Sequence, residues 1–418
     1  MAKRKEVPDP IQTKVLVKSG RRCCVCFGIN NDYNSEKQGQ IAHLDHRKNN
    51  NKESNLAFLC LEHHDKYDST TRLSKNLKMG EVKEYRKLLY KKIEKNRATE
   101  EKVIKLIGDT PSTANEVAHV KQETTIENIT PQPIKGSSPR KPGKDEKKAM
   151  QLSSMPYSEA AMVELRSLLY TTPDYLAQIV CIGGITNFFD FRKDSVSEML
   201  TLCDQGILLT QKHGLKDAEA TLLANKAHLV SQHFLLRDLD GYYRTQMAIR
   251  TGLPTITEEE RKGIIQDLKN LQETYKSLFK EAIKKAYESN LREVIAAVLI
   301  RIGSAAGMRA THFRELKMKD REDAEKSLAK LALLESKNLY FEAGNESHAA
   351  YALHQLANQL RFLGETTEAK KICKQVIKIA QKYKDKSLEA QAKNMLQSII
   401  SGHIPDYMNG EDDKPRQS

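Results

Sequence analysis

No apolar run in this sequence has the length of a membrane-spanning helix, and its beginning lacks the apolar core of a signal peptide. The chain starts Met-Ala-Lys-Arg-Lys-Glu and continues into Pro8 and Pro10. A membrane-spanning helix needs about 20 mainly apolar residues, and a signal peptide needs an apolar stretch of about 7–15. These absences predict a cytoplasmic protein with no membrane partner.

Cysteine is scarce too, with seven residues in a chain of 418. Four of them lie between Cys23 and Cys60, whereas Cys181, Cys203 and Cys373 stand singly. This distribution argues against a disulfide framework, which is typical of small secreted chains with many paired cysteines. It predicts a reducing compartment and one metal site.

Glycine, proline and strand-like alternation are sparse from residue 155 to residue 402. This part is predicted to be nearly continuous amphipathic helix, and it also lacks a glycine-rich phosphate loop and any compact cluster of acids, histidines or cysteines. These absences argue against a catalytic activity in this part of the chain. We expect an all-α domain over residues 151–404.

The length predicts two or three domains, and composition indicates their boundaries. Residues 109–150 are rich in Thr, Ser, Pro, Asn and Lys without periodicity, which is typical of a flexible linker. The linker would separate a first domain, residues 1–108, from the helical domain. Residues 405–418 are predicted to be a disordered tail.

The net charge of +13 is concentrated in the first domain. Residues 1–110 carry 24 basic and 15 acidic side chains, whereas residues 151–418 carry 37 and 35. Lys and Arg bind phosphates with release of counterions, so this excess predicts a polyanionic partner. A solvated basic surface would have the same composition. Because the basic excess lies in the same segment as a metal-binding motif, nucleic acid is the favoured partner.

That motif consists of two Cys-x-x-(Cys/His) pairs, Cys23 with Cys26 and Cys60 with His63. Two residues between ligands let one tight turn present both to one ion, so the four side chains have the spacing of a closed structural zinc site. Only one residue lies between Cys24 and Cys26, fewer than the two of the ligand pairs, and we expect Cys24 to be a small buried apolar residue. The pattern around these ligands predicts a helix over 10–19 ending at Gly20, strands at Gln40–Leu44 and Leu56–Leu59, a helix from Leu61, and a charged helix over 80–107.

Further side chains that bind metals or transfer protons lie in the same segment: His43, Asp45, His46, Asn55, His64 and Asp68. They occur within Ala-His-Leu-Asp-His and within Asn-Leu-Ala-Phe-Leu-Cys-Leu-Glu-His-His-Asp-Lys-Tyr-Asp. With the zinc ligands, these motifs resemble the HNH (ββα-metal) nuclease family over roughly the first hundred residues, the size of a small domain. The resemblance implies a zinc-stapled ββα-metal domain that cleaves DNA with low sequence specificity.

The resemblance implies that His43 is the general base, and an imidazole with an ordinary pKa of about 6.5 suits that role. His46, in the Asp-His pair, is the rival for it. Asn55 would orient the base or fix the loop, and a local Asx turn is the alternative interpretation. Each of these assignments follows from the position of the residue in the family motif.

The resemblance also implies a catalytic divalent cation, Mg²⁺, Mn²⁺ or Ni²⁺, bound by His64 and Asp68 at positions i and i+4 of a helix. Many family members carry a metal ligand immediately before the base. Ala42 occupies that position here, so Asp45 is expected to complete the coordination. Five basic residues flank the motif and would bind the phosphates of double-stranded DNA: Arg21, Arg22, Arg47, Lys48 and Lys52.

Residues 348–384 resemble a tetratricopeptide repeat in their small and apolar positions: Ala352, Leu356, Ala357, Leu363, Gly364, Ala369 and Ala380. The resemblance implies an all-α tetratricopeptide-like solenoid, with a helical bundle of no repeat family as the alternative. Such a domain would bind a protein or small ligand or form a homo-oligomer, and would thereby control the nuclease. By analogy with other nucleases fused to sensor domains, the setting would be prokaryotic anti-phage defence. The alternative function is a non-catalytic zinc-knuckle adaptor for nucleic acid.

Overall fold

The chain divides into two compact units. The first comprises Met1–Lys105 and Asn290–Arg292, and the second comprises Leu106–Ser289 and Glu293–Ser418. The structure, a computed structural model, describes residues 6–30, 37–69, 77–109, 142–154, 159–187, 195–251, 257–289 and 291–402. Most of the predicted linker, residues 110–141, and the whole predicted tail, residues 405–418, lie outside the described residues.

The first unit contains a two-stranded sheet and four helices among its described residues. Its elements are α1 (Asp9–Ser19), α2 (Cys24–Asn30), β1 (Gly39–His43), a 3-10 turn (Glu53–Asn55), β2 (Leu56–Cys60), α3 (Leu61–Asp68) and α4 (Met79–Asp109). The predicted helices and strands are confirmed, with ends shifted by one or two residues. Helix α2 was not predicted, because the spacing of Cys23 and Cys26 indicates only a tight turn.

Helix α1 ends in a left-handed turn that the sequence marks with glycine. Gly20 has φ 53°, and its N–H bonds to the carbonyl groups of Leu16 and Val17. Arg21 also has a positive φ of 53°. A left-handed residue after a helix is the usual way of reversing the chain, and glycine adopts it without strain. The chain therefore turns from α1 directly to Cys23 at the start of the metal site.

The two strands pair antiparallel with Gly39 opposite Cys60 and His43 opposite Leu56. Every residue of β2 is buried. The register places the last residue of β1 beside the first residue of β2, and it places Cys60 at the start of α3. The order β1, β2, α3 thus delivers His43 and the α3 histidines within one small structure.

The core of the first unit combines the cysteines with apolar residues of the sheet and of α4. Val82, Leu89 and Ile93 of α4 belong to the same buried cluster as Ala42 and Leu44. These α4 residues recur at helical spacing, so one face of the helix is apolar. Helix α4 is therefore part of this core as far as Ile93.

The second unit is all helix among its described residues. Its elements are α5 (Lys144–Ser154), α6 (Glu159–Thr171), α7 (Tyr175–Asn187), α8 (Val196–Lys212), α9 (Lys216–Thr251), α10 (Glu258–Ser289), α11 (Arg292–Glu315), α12 (Lys319–Glu342), α13 (Glu346–Phe362), α14 (Thr366–Tyr383) and α15 (Lys386–Ser401). Several consecutive helices pack on each other, among them α12 on α13, α13 on α14 and α14 on α15. The predicted all-α composition is confirmed for the described residues.

Helix α5 corrects the predicted domain boundary. It lies inside the segment assigned to the linker, yet it packs against α7 and buries Ala149 and Leu152. Three-residue spacing places both side chains on one face of a short helix. The surrounding Lys and Ser residues obscured this pattern in the sequence. The helical unit therefore includes residues from Lys144 onward.

Helix α11 is long and apolar enough to cross a membrane by length and composition, contrary to the expectation that no such stretch exists. In its most apolar window, 67% of the residues are buried inside the protein. Arg309 of this helix is itself buried and forms a bidentate ion pair with Glu325 of α12. These features are typical of a core helix.

Candidate functional site

The four predicted zinc ligands come together in the first unit. Their ligand atoms all lie within 4.8 Å of one another. Cys26 Sγ is 3.7 Å from Cys60 Sγ, and His63 Nδ1 is 3.1 Å from Cys60 Sγ and 3.3 Å from Cys26 Sγ. Zinc–sulfur bonds of about 2.3 Å in a tetrahedron separate two sulfurs by about 3.8 Å. The donor set and its dimensions therefore fit a structural zinc ion.

Each ligand owes its place to the end of a secondary-structure element. Cys23 precedes α2, Cys26 lies in the first turn of α2, Cys60 ends β2, and His63 lies in the first turn of α3. All four are buried, with exposures between 1% and 9%. A closed site with four protein ligands leaves no open position for a substrate, so this group is structural.

Burial controls the protonation of this cluster in the absence of metal. It raises the pKa of the Cys23 and Cys26 thiols and lowers the pKa of His63. The metal-free thiols thus hold their protons at neutral pH, and zinc must displace them. Acidification favours the protonated thiols and therefore weakens zinc binding.

Cys24 does not belong to the zinc group. Its side chain is 1% exposed, and its Sγ lies 3.9 Å from the carbonyl oxygen of Val82 in α4. Burial raises the pKa of this thiol to about 12. It is a small buried residue between α2 and α4, as predicted.

A cleft of about 830 Å³ lies in the same unit and contains most of the remaining predicted site residues. Its lining includes His43, His46, His64 and Asp68. His64 Nδ1 is 3.6 Å from Asp68 Oδ2, and His46 Nδ1 is 3.7 Å from Asp68 Oδ1. Three histidines and one carboxylate thus share one solvent-accessible surface.

His46 is held in an unusual conformation. Its φ is 56°, in the left-handed region that few residues with a side chain adopt. Its N–H bonds to the carbonyl group of His43, and its ring stacks on Tyr67 with the centroids 4.8 Å apart. The hydroxyl of Tyr67 donates to the carbonyl group of Leu44. These contacts fix His46 opposite Asp68.

Asp45 does not take part in the cleft, which corrects the expectation that it completes a metal site with His64 and Asp68. The side-chain amide of Asn50, the N–H of Arg47 and the amide of Asn55 all donate to its carboxylate. The bond from Asn50 above all lowers the pKa of Asp45 to about 2. Both carboxylate oxygens are therefore used to hold the loop after β1. Among the described residues, the zinc group is the only set of three or more His, Cys, Asp or Glu side chains placed for one ion.

Asn55 fixes that loop. It is 5% exposed, its Oδ1 accepts the N–H of Asp45, and its Nδ2 donates to Asp45 Oδ1 and to the carbonyl group of Asn50. Of the two roles predicted for Asn55, these hydrogen bonds correspond to fixing the loop. These hydrogen bonds all lie within the loop, and the side chain that contacts His43 is a different asparagine, Asn51.

Asn51 contacts His43 directly, and no sequence motif distinguishes it from its neighbours. Its Oδ1 is 2.8 Å from His43 Nε2, and its Nδ2 donates to the carbonyl group of Glu6 over 3.2 Å. In the sequence, the run Asn49-Asn50-Asn51 is typical of a polar loop. Only the fold shows which asparagine reaches the histidine.

The five predicted phosphate-binding residues fall into three groups. Arg21 and Lys48 line the cleft. Arg47 and Lys52 are exposed but do not line it. Arg22 is 5% exposed, donates to the carbonyl group of Gly20 and does not line the cleft, which argues against a phosphate contact. The cleft therefore has two of the five predicted cations at its surface.

Comparison with models of known protein families and with curated proteins finds no match to this chain.

Proposed function

We propose that the first unit is a metal-dependent endonuclease that hydrolyses the phosphodiester bonds of DNA. The observation that carries the proposal is the shared cleft of His43, His46, His64 and Asp68 beside a zinc-type Cys₃His group. A binding module has a use for the zinc group and for surface cations. It does not need a histidine that can accept a proton in the same cleft as a histidine–carboxylate pair that can bind a cation.

His43 is the general base in this proposal. It ends β1 and lines the cleft, and its Nδ1 has no hydrogen-bonding partner among the described residues. A neutral imidazole accepts a proton from water near neutral pH, so Nδ1 would take the proton of the water that attacks phosphorus. His46 is the less suitable base, because its Nδ1 already faces Asp68.

His64 and Asp68 would hold the catalytic divalent cation, which stabilises the charge that develops on the phosphate and on the leaving 3′ oxygen. Two protein ligands suit a hard cation that keeps water and substrate phosphate oxygens in its other positions. Arg21 and Lys48 would bind the phosphates on either side of the scissile bond. These contacts go to the backbone, so cleavage would tolerate many sequences.

The helical unit would control the nuclease in this proposal. Its residues 151–418 have nearly balanced charge, and none of its described residues joins a metal group. Helices α13 and α14 are joined by a tight turn at Gly364 with φ 78°, and α12 to α15 pack in sequence order, as in a tetratricopeptide-like solenoid. A surface of this kind binds a protein or ligand, and it suits a sensor in anti-phage defence.

Cleavage of supercoiled plasmid by the full chain tests the proposal, with Mg²⁺, Mn²⁺ and Ni²⁺ supplied separately. We expect nicking and linearisation with at least one of these ions. His43→Ala should lower the rate by roughly 100-fold, the usual scale for loss of a general base, while zinc content and melting temperature stay unchanged. His64→Ala should lower it at least as much and raise the cation concentration required.

His46→Ala is the matched comparison, because it removes a neighbouring histidine of the same cleft. Normal cleavage by His43→Ala together with loss in His46→Ala would assign the base to His46. DNA binding without cleavage under every cation would favour the zinc-knuckle adaptor and would contradict the proposed nuclease.

A further inference from the structure

Asn51 bridges the N-terminal segment and the proposed base. Its Oδ1 lies 2.8 Å from His43 Nε2, and its Nδ2 lies 3.2 Å from the carbonyl oxygen of Glu6. Gln12 of α1 donates to the carbonyl group of the next residue, Val7, over 2.8 Å. Helix α1 thus positions the segment of Glu6 and Val7, and this segment contacts Asn51.

The chemistry of the two contacts defines which proton lies where. A carbonyl oxygen only accepts hydrogen bonds, so the group of Asn51 that faces Glu6 must be the NH₂ group. The group that faces His43 is then the amide oxygen, which also only accepts. His43 Nε2 must therefore carry a hydrogen, and in a neutral imidazole Nδ1 is then unprotonated.

We propose that Asn51 is a positioning residue that fixes His43 as the Nε2–H tautomer and aims its unprotonated Nδ1 at the cleft. An imidazole without such an acceptor rotates about its side-chain bonds and exchanges its proton between the two nitrogens. Only one of these forms presents a basic nitrogen in the right place, so the acceptor raises the fraction of His43 ready to act. The kinetic consequence rests on the proposed nuclease activity, whereas the tautomer itself does not.

Nitrogen NMR of the full chain labelled at histidine tests the tautomer without any activity. His43→Gln identifies the His43 signals among those of the 12 histidines. In its neutral form, wild-type His43 should show a protonated Nε2 and an unprotonated Nδ1. Asn51→Ala should show averaged signals for the two nitrogens. Asn51→Asp retains an acceptor oxygen and should restore the wild-type pattern.

Asn49→Ala is the matched control, because Asn49 is an exposed residue of the same loop. It should leave both the spectrum and plasmid cleavage unchanged. Asn51→Ala should lower kcat roughly tenfold at unchanged KM, since a positioning contact is lost and DNA binding is not. Asn51→Asp should recover most of that rate.

A wild-type His43 with its proton on Nδ1 would overturn the proposal, as would an Asn51→Ala spectrum identical to that of the wild type. A protein that cleaves no DNA but shows the expected tautomers would contradict the nuclease and leave the positioning role supported. Normal cleavage by Asn51→Ala with altered tautomers would show that the contact does not affect the reaction and would overturn its positioning role.

Discussion

Two cysteines separated by a single residue, Cys24 and Cys26, have opposite environments in this protein. Cys26 Sγ faces Cys60 and His63, whereas Cys24 Sγ faces a carbonyl group of α4. The difference follows from the helical geometry of α2, because residues two apart on a helix point about 200° apart around its axis. At the scale of the residue, position on the helix decides which thiol binds metal.

We predict that Cys26→Ser loses zinc and becomes protease-sensitive, because metal binding and folding are one process in so small a core. Cys24→Ala should keep its full zinc content, since it removes only one buried atom and would cost about 1 kcal/mol of folding free energy. Zinc content by atomic emission and limited proteolysis measure both effects. Full zinc occupancy in Cys26→Ser would remove that residue from the ligand set.

Helix α4 supports the loop between the two strands through one arginine. Arg86 Nη1 donates to the carbonyl groups of Glu53, Ser54 and Leu56 at 3.2, 3.1 and 2.6 Å. These carbonyl groups flank Asn55, which holds Asp45. At the scale of the element, a helix that follows the site in sequence fixes the turn that enters β2.

We predict that Arg86→Met lowers the free energy of unfolding of the first unit by about 1–3 kcal/mol, because three carbonyl groups lose a charged donor. Methionine keeps much of the length and apolar packing of the side chain. The control is Lys87→Met, since Lys87 is exposed and forms a 3.9 Å ion pair with Glu84 on the surface of the same helix. Chemical denaturation followed at the first unit measures the difference. Equal stability of the two variants would mean that water replaces Arg86 without cost.

The two units obtain their stability from different sources. The core of the first unit is built around four cysteines and a histidine ligand, whereas the core of the helical unit is apolar with a buried ion pair. In that pair Arg309 makes two 2.8 Å bonds to Glu325 and lies over the ring of Tyr275. At the scale of the whole molecule, only the first unit contains a metal group among the described residues.

We therefore predict that a strong chelator unfolds the first unit and leaves the helical unit folded. Far-ultraviolet circular dichroism should keep most of its helical signal, and limited proteolysis should leave a resistant fragment that begins near Lys144. Readdition of zinc should restore protection of residues 6–109. Cooperative loss of all helical signal on chelation would contradict this and would show that the two units fold as one.

The sequence was sufficient for the features that depend on local spacing. Two residues between ligands identified the zinc group, and Gly20 marked the end of α1. The sheet strands and α4 followed from apolar periodicity, since α4 places Val82, Leu89 and Ile93 on one face. The position of α5 was missed because its short apolar pattern stands in polar, linker-like sequence. Neither the nuclease activity nor the solenoid follows from spacing alone, and both stay predictions.

The sequence by itself determined the zinc ligands, the helical character of the second unit and the histidines that line the cleft. Only the tertiary structure decided how loop side chains are used, because hydrogen-bond partners distant in sequence compete for each polar group. It turned Asp45 inward to Asn55, buried Arg22 and placed Asn51 between His43 and Glu6. These contacts depend on which distant segments of the backbone the fold brings together, and the spacing of residues along the sequence does not determine that.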